Sequence, residues 1–252
     1  LLLQVQYQQA IQVATKILIC GPFVTMVDGE SKDHDTDPLD AQAASMFHTA
    51  TPFFWGHLLT YYGEALAYTG APEDQSRSVL NQAISLLKSV ENTLLINWIY
   101  RRVLGRAYNV LAYLEWIYGH NGAASAAYHQ ALNWFDYTGL EDERADTLNN
   151  LSFLLAILGN YLQAKQYADR SLKLRQQFGQ KYPVALSHNT RGLIYALQGE
   201  FDWGERECKL ASDKFAEIES QRGIGLACNA LGYIFRQKGN RWRTNESTIE
   251  QT

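Results

Sequence analysis

Four glycines spaced forty residues apart constrain this chain more than any other feature of its sequence. Each is preceded by an asparagine ten residues earlier, a small residue seven residues earlier and an aliphatic residue five residues earlier. The glycines are Gly119, Gly159, Gly199 and Gly239; the asparagines are Asn109, Asn149, Asn189 and Asn229; the small residues are Ala112, Ser152, Gly192 and Gly232; the aliphatic residues are Leu114, Leu154, Ile194 and Ile234. A fixed period of this length is the signature of stacked structural repeats. The pattern therefore predicts a solenoid in which each repeat packs on its neighbours. The small residues are expected to let the paired helices approach closely, and the aliphatic residues are expected to face the same seam in the core.

Apolar residues between these glycines recur at helical spacing, which predicts two helices in each repeat. The first helices are predicted near 101–118, 143–158, 183–198 and 223–238, and their partners near 123–137, 163–177 and 203–218. Each first helix is expected to end at the period glycine, which readily takes the left-handed conformation that closes a helix. The short links make successive helices antiparallel neighbours, so the predicted fold is all-α.

An earlier copy of the pattern ends at Gly70, 49 residues before Gly119, with Gly63 in the small column and Ala65 five residues before the glycine. It predicts a helix over 52–69 with Pro52 in its first turn, and a partner helix over 75–90. The nine additional residues are expected to lengthen the next helix, which then covers 93–118.

Upstream of this copy, the apolar spacing within 4–19 also predicts a helix, and the turn formers and acids of 28–40 predict an exposed loop. We therefore divide the chain into an N-terminal helix and acidic loop (1–51), a repeat array (52–240) and the start of a truncated further repeat or tail (241–252).

No pattern in the sequence predicts a metal site, a cofactor site or an active site. Asp33, Asp35 and Asp37 alternate as at the start of a calcium loop, but Pro38 and Ala44 replace the glycine and the bidentate glutamate of such a loop. The six histidines form no HxxxH pair, and no phosphate-binding glycine loop is present. Without a cluster of histidines, cysteines or carboxylates at site-like spacing, we expect no enzymatic activity.

Composition narrows the range of partners and compartments. A net charge of −4 gives no electrostatic reason to expect nucleic acid at this surface. No apolar run approaches the ~20 residues that span a bilayer, so we expect no membrane segment. Three cysteines without a CxxC pair suit a reducing cytoplasm. The sequence at both termini suggests cut ends, so we expect the chain to be part of a longer protein.

The order of residues around the period glycines resembles the tetratricopeptide repeat. The resemblance is carried by Ser152, Gly159-Asn160-Tyr161 and Ala164, and again by Gly192 and Gly199-Glu200-Phe201. It covers about 52–240 and implies a right-handed superhelix of antiparallel helix pairs. The forty-residue period and the segments 144–151 and 225–232 look like the arrays of kinesin light chains and of bacterial signal-transducing (STAND-type) regulators such as the maltose-regulon activator.

In such proteins the array is the sensor or partner-docking arm. The resemblance therefore implies a scaffold that binds a protein or peptide, within a larger signalling or transcription-regulatory protein. The alternative that it implies is a helical domain that senses a small-molecule effector.

The asparagines and their neighbours are the candidate partner site. Positions three before, four after and seven after each asparagine share its helical face, and in tetratricopeptide stacks this face lines the concave groove. An asparagine amide can both donate and accept, so a column of them can bind the backbone of an extended peptide. The same column could instead bond adjacent repeats, and both readings remain open. The candidate residues are Arg106, Asn109, Tyr113, Trp116, Asp146, Asn149, Phe153, Asn189, Leu193, Asn229, Tyr233 and Arg236.

Overall fold

The structure, a computed structural model, describes residues 38–91, 98–136 and 139–249, without the side chains of 38–51 and 242–249. Within these ranges the chain forms nine α-helices and no strand, which confirms the predicted all-α class. The helices are α1 (Pro38–Thr69), α2 (Glu73–Ser89), α3 (Trp98–Ile117), α4 (Asn121–Phe135), α5 (Glu141–Ile157), α6 (Tyr161–Gln177), α7 (Lys181–Leu197), α8 (Phe201–Glu217) and α9 (Gln221–Ile249). The helix predicted over 4–19 lies outside the described residues.

The period glycines close the first helices as predicted at four of five positions. Gly159 and Gly199 have φ values of 81° and 86°, in the left-handed region that favours glycine. Their amides donate to carbonyls three residues earlier at 3.0 Å in both copies, and the next amide donates five residues back at 2.8 and 2.9 Å. These two turns therefore have the same geometry. Gly70 and Gly119 also have positive φ.

Gly239 departs from the pattern, because α9 continues through it to Ile249. The prediction that this helix ends near residue 238 is therefore wrong. In the earlier copies, the returning helix buries residues five and nine positions after the glycine, namely Ala124, Tyr128, Ala164, Ala168, Gly204 and Cys208. Thr244 and Thr248 occupy those positions after Gly239, so a turn there would bury little apolar surface. A glycine within a helix costs only about 1 kcal/mol relative to alanine, and the helix continues.

The first described helix begins earlier than predicted. α1 starts at Pro38, and Pro52 lies inside it rather than in a first turn. Residues 39–51 contain four alanines and no glycine or proline, which favours helix, and Pro38 takes the position where a missing N–H costs least. Residues 38–40 are therefore helical, not part of the predicted loop, whose residues 28–37 lie outside the described ranges. The predicted start of α3 near residue 93 also lies outside them.

The chain separates into two compact units, residues 1–137 and 138–252. In the first unit α1 packs against α2 and α3, and α3 packs against α4. Its core includes Ala67, Leu80, Val110 and Leu114. Gly63 allows α1 to approach α2 closely, because a Cβ at this position would lie 2.6 Å from Cδ2 of Leu80.

In the second unit α5 pairs with α6 and α7 with α8, while α9 packs against both helices of the last pair. A Cβ on Gly192 would lie 2.3 Å from Sγ of Cys208, so the predicted packing role of the small column is confirmed here and at Gly63. Gly232, in the same column of α9, has no such neighbour within 4 Å among the described atoms. All four members of the aliphatic column are buried, as expected: Leu114, Leu154, Ile194 and Ile234.

Candidate functional site

The column asparagines differ in burial. Asn149 and Asn189, in the second unit, are only 5% and 6% exposed, whereas Asn229 is exposed. α5 packs against α7, and α7 against α9, but within the described ranges no later first helix covers α9. In the second unit, an asparagine of this column is therefore buried where the first helix of the next repeat packs against its own helix. In the first unit, Asn109 is half-buried.

The amide oxygens of the two buried asparagines have no donor within the part of the chain that the structure describes: none reaches Oδ1 of Asn149 or of Asn189. A buried acceptor without a hydrogen bond costs about 1–3 kcal/mol. Because an amide carries an oxygen on one side and NH2 on the other, a half-turn about χ2 lets each side chain present either an acceptor or a donor.

Apolar side chains flank these amides. Phe153 and Leu193, four residues after the buried asparagines, are half-buried, and Tyr233 is half-buried at the corresponding position of α9. The guanidinium of Arg236 lies 5.7 Å from the centre of the Tyr233 ring, within the range of a cation–π contact. The second unit thus combines amides with apolar side chains along α5, α7 and α9.

Asp146, predicted on the same face, forms part of the scaffold. Its carboxylate accepts a hydrogen bond from Nη2 of Arg175 at 2.6 Å, although the Asp146 side chain is 60% exposed. Arg175 is buried and also donates to the carbonyl of Pro183 at 3.0 Å and to Oγ of Ser187 at 2.7 Å. Asp146 therefore helps to connect α5, α6 and α7, in addition to any contact that it makes with a partner.

In the first unit, Arg106 is held by residues of α1. Its Nε and Nη2 donate to Oε2 of Glu64 at 2.9 and 2.7 Å, and its guanidinium lies 4.6 Å from the centre of the Tyr61 ring. The ring centre of Tyr113 lies 5.0 Å from that of Tyr68 and 5.8 Å from that of Trp116. Arg106 and Tyr113, two of the predicted residues of α3, therefore contact aromatic residues of α1.

These contacts belong to an aromatic surface, which we call the aromatic track: Phe53, His57, Tyr61, Tyr68, Tyr113 and Trp116. The ring centre of His57 lies 5.9 Å from that of Phe53 and 5.1 Å from that of Tyr61. Sequence reasoning missed the four members on α1 because this copy of the repeat has no column asparagine to identify its face. Their spacings of four, four and seven residues, which keep one helical face, were the available signal.

The aromatic track is close to neutral. Burial, and then the positive charge of Arg106, lower the pKa of His57 below its ordinary value, so this ring is uncharged at neutral pH. The charge of Arg106 is itself compensated by Glu64. The surface therefore presents rings and hydroxyl groups without a net charge.

Other possible sites lie away from the asparagine columns. A pocket of about 630 Å³ in the second unit is lined by residues 199–203, Lys238 and Arg241. A pocket of about 380 Å³ in the first unit is lined mainly by Trp55, Leu59 and Tyr62 of α1 and by residues of α2. Among the described residues, no three histidine, cysteine or acidic side chains are grouped to hold a metal ion. No described helix has the length and apolar character needed to cross a bilayer.

The fold is similar to that of solved tetratricopeptide proteins. BtubC (BKLC) from P. vanneervenii, which is kinesin light chain-like, matches with a TM-score of 0.59 and 14% identity, over 98% of this chain and 93% of that chain. The apo form of RapI matches with a TM-score of 0.53 and 14% identity, over 93% of this chain and 68% of that chain. These similarities confirm the tetratricopeptide-like array of antiparallel helix pairs. No family model and no curated protein sequence matches the chain.

Proposed function

We propose that the chain is a scaffold that binds an extended peptide or protein segment along the faces of its first helices. In the second unit the segment would contact Asn149, Asn189 and Asn229, with its side chains against Phe153, Leu193, Tyr233 and Arg236. In the first unit a separate segment would contact Arg106, Asn109, Tyr113 and Trp116.

The buried amides of Asn149 and Asn189 carry this proposal. Each has an oxygen with no donor among the described residues, and each lies beside a half-buried apolar side chain. A peptide backbone offers donors and acceptors at regular intervals whatever its side chains. Once a side-chain rotation brings each amide to the surface, the backbone could therefore satisfy these amides in turn, while the apolar neighbours select among side chains.

We infer further that the scaffold serves a larger signalling or transcription-regulatory protein, as its sensor or partner-docking region, and that it works in the cytoplasm without a cofactor. The tetratricopeptide fold, which typically carries binding rather than catalysis, supports a role without enzymatic activity. The net charge of −4 supports a protein partner over nucleic acid.

A second candidate function is the sensing of a small-molecule effector. It is supported by the first unit's pocket of about 380 Å³, whose lining combines Trp55, Leu59 and Tyr62 with the polar groups of Gln82 and Ser85. Ligand sites commonly have volumes of about 300–1,000 Å³ and a few polar groups among apolar ones.

The peptide-binding proposal can be tested with a peptide selected from a displayed random library on the full chain. Each lost amide should cost about 1 kcal/mol of binding free energy, or about fivefold in Kd. Asn149→Ala with Asn189→Ala should therefore raise Kd about 25-fold by calorimetry. Asn160→Ala, at an exposed turn outside this face, is the matched control and should leave Kd unchanged.

Thermal melting of the same variants separates binding from folding. If the double variant melts at a much lower temperature while the folded fraction binds with unchanged Kd, the asparagines are structural and the proposal is wrong.

A further inference from the structure

The aromatic track of the first unit has a shape that limits what can bind to it. Two runs of rings, Phe53–His57–Tyr61 on α1 and Tyr68–Tyr113–Trp116 on α1 and α3, are half-buried or exposed. Tyr61 and Tyr68 are 46% and 47% exposed. Seven residues of helix separate them by about 10 Å, close to the ~9 Å pitch of a polyproline II helix.

The charge of the track distinguishes between ligands that stack on aromatic rings. Single-stranded nucleic acid also stacks on aromatic side chains, but it needs a groove of cations along its backbone. Here Arg106 is engaged by the carboxylate of Glu64, and His57 is uncharged. A neutral ligand is the best electrostatic match.

The polar groups of the track match a ligand that offers acceptors. Proline has no backbone N–H, so a proline-rich segment presents carbonyl oxygens and apolar rings. Tyr61, Tyr68 and Tyr113 carry hydroxyl donors, and the half-buried amide of Asn109 lies on the same face of α3 as Tyr113. Polyproline II segments bind aromatic-lined grooves in this way, at a low entropic cost because the ligand is already extended.

We propose that the aromatic track binds a proline-rich segment in the polyproline II conformation. The inference rests on the proposed peptide-binding function and assigns the ligand class for the first unit. The second unit, which carries Phe153 and Leu193 in the column of Tyr113, binds its segment through backbone contacts instead.

The test uses the full chain and blocked decaproline, measured by calorimetry against a blocked decamer of alternating glycine and serine. Decaproline should bind, and the glycine–serine peptide and a twelve-residue oligothymidylate should not. Removing one stacked ring should cost about three- to tenfold in Kd, so Tyr68→Ala should weaken decaproline binding by that factor. Trp203→Ala removes a ring that is 55% exposed in the second unit and should have no effect.

The outcomes separate this inference from the proposed function. Decaproline that binds no more tightly than the glycine–serine peptide would overturn the inference, as would equal losses in Tyr68→Ala and Trp203→Ala or tighter binding of the oligothymidylate. If the library-selected peptide still requires Asn149 and Asn189 in those cases, the proposed function stands without the inference. If decaproline does not bind and the library yields no peptide that binds, the inference and the proposed function are both wrong.

Discussion

The face formed by α1 and α3 in the first unit carries stacked aromatic rings. In the second unit, α5 and α7 carry Phe153 and Leu193 in the column of Tyr113 and alanine in the column of Trp116. The packing columns do not differ in this way: the aliphatic residue five before each glycine is buried in both units. Packing and surface chemistry thus occupy different columns of one repeat. The surface can therefore change between units while the helix pairs keep the same contacts.

A second difference lies four residues before the period glycine. In the first unit this position holds the buried Leu66 before Gly70 and the buried Glu115 before Gly119. Glu115 is bonded to Nε of Arg77 at 2.8 Å and to Nδ1 of His120 at 2.9 Å. In the second unit it holds Leu155, which is buried, and Tyr195, whose ring lies 4.6 Å from Nζ of Lys165. The position four residues before the period glycine can therefore be stabilised by ion pairs or by apolar packing.

The largest expected effect tests the packing that the two units share. Gly192→Ala should destabilise the second unit by about 3 kcal/mol, because its Cβ would meet Sγ of Cys208 and the backbone oxygen of Gly204. Gly63→Ala should cost the first unit about 1 kcal/mol, because the side chain of Leu80 can shift. Gly232→Ala, with no such contact, should stabilise by up to about 1 kcal/mol.

Hydrogen exchange resolved by segment reports the stability of each unit separately. A neutral effect of Gly192→Ala would show that α7 and α8 can separate enough to accept the added Cβ beside Cys208.

The next effect tests the ionic junction of the first unit. Arg77→Met should destabilise this unit by about 2 kcal/mol, because it leaves the buried carboxylate of Glu115 without its main partner. Adding Glu115→Leu, which installs the residue type found at 155, should recover most of the loss. Lys209→Met removes the exposed partner of Glu205 and should cost less than about 0.5 kcal/mol. Failure of Glu115→Leu to restore protection in hydrogen exchange would contradict the equivalence of the two junctions.

Sequence periodicity predicted what depends on local pattern: the helix pairs, the glycine turns and the small and aliphatic packing columns. It placed the start of α1 and the end of α9 incorrectly, because proline and glycine are compatible with helix when no packing favours a turn. The burial of Asn149 and the exposure of Asn229 could not be predicted, since they depend on which helix packs over each column. The pairing of Arg106 with Glu64 joins residues 42 positions apart in an irregular copy and has no periodic signal.

The smallest expected effect is a difference between the units in their response to pH. Because the pKa of His57 is lowered in the folded chain, the unfolded chain binds this proton more readily as pH falls below about 6.5. The first unit should therefore lose stability between pH 7 and 5, by less than about 0.5 kcal/mol given the partial exposure of the ring. In the second unit, Lys209 and Lys238 lower the pKa of Glu205 to about 2. The stability that Glu205 contributes is therefore present above pH 4.5 and is lost as pH falls from 4.5 towards 2. His57→Phe keeps an aromatic ring and removes the titration. The urea midpoints of the wild-type chain and of His57→Phe should differ by one amount at pH 7 and by another at pH 5. If the two differences are equal, His57 does not set the pH response of the first unit.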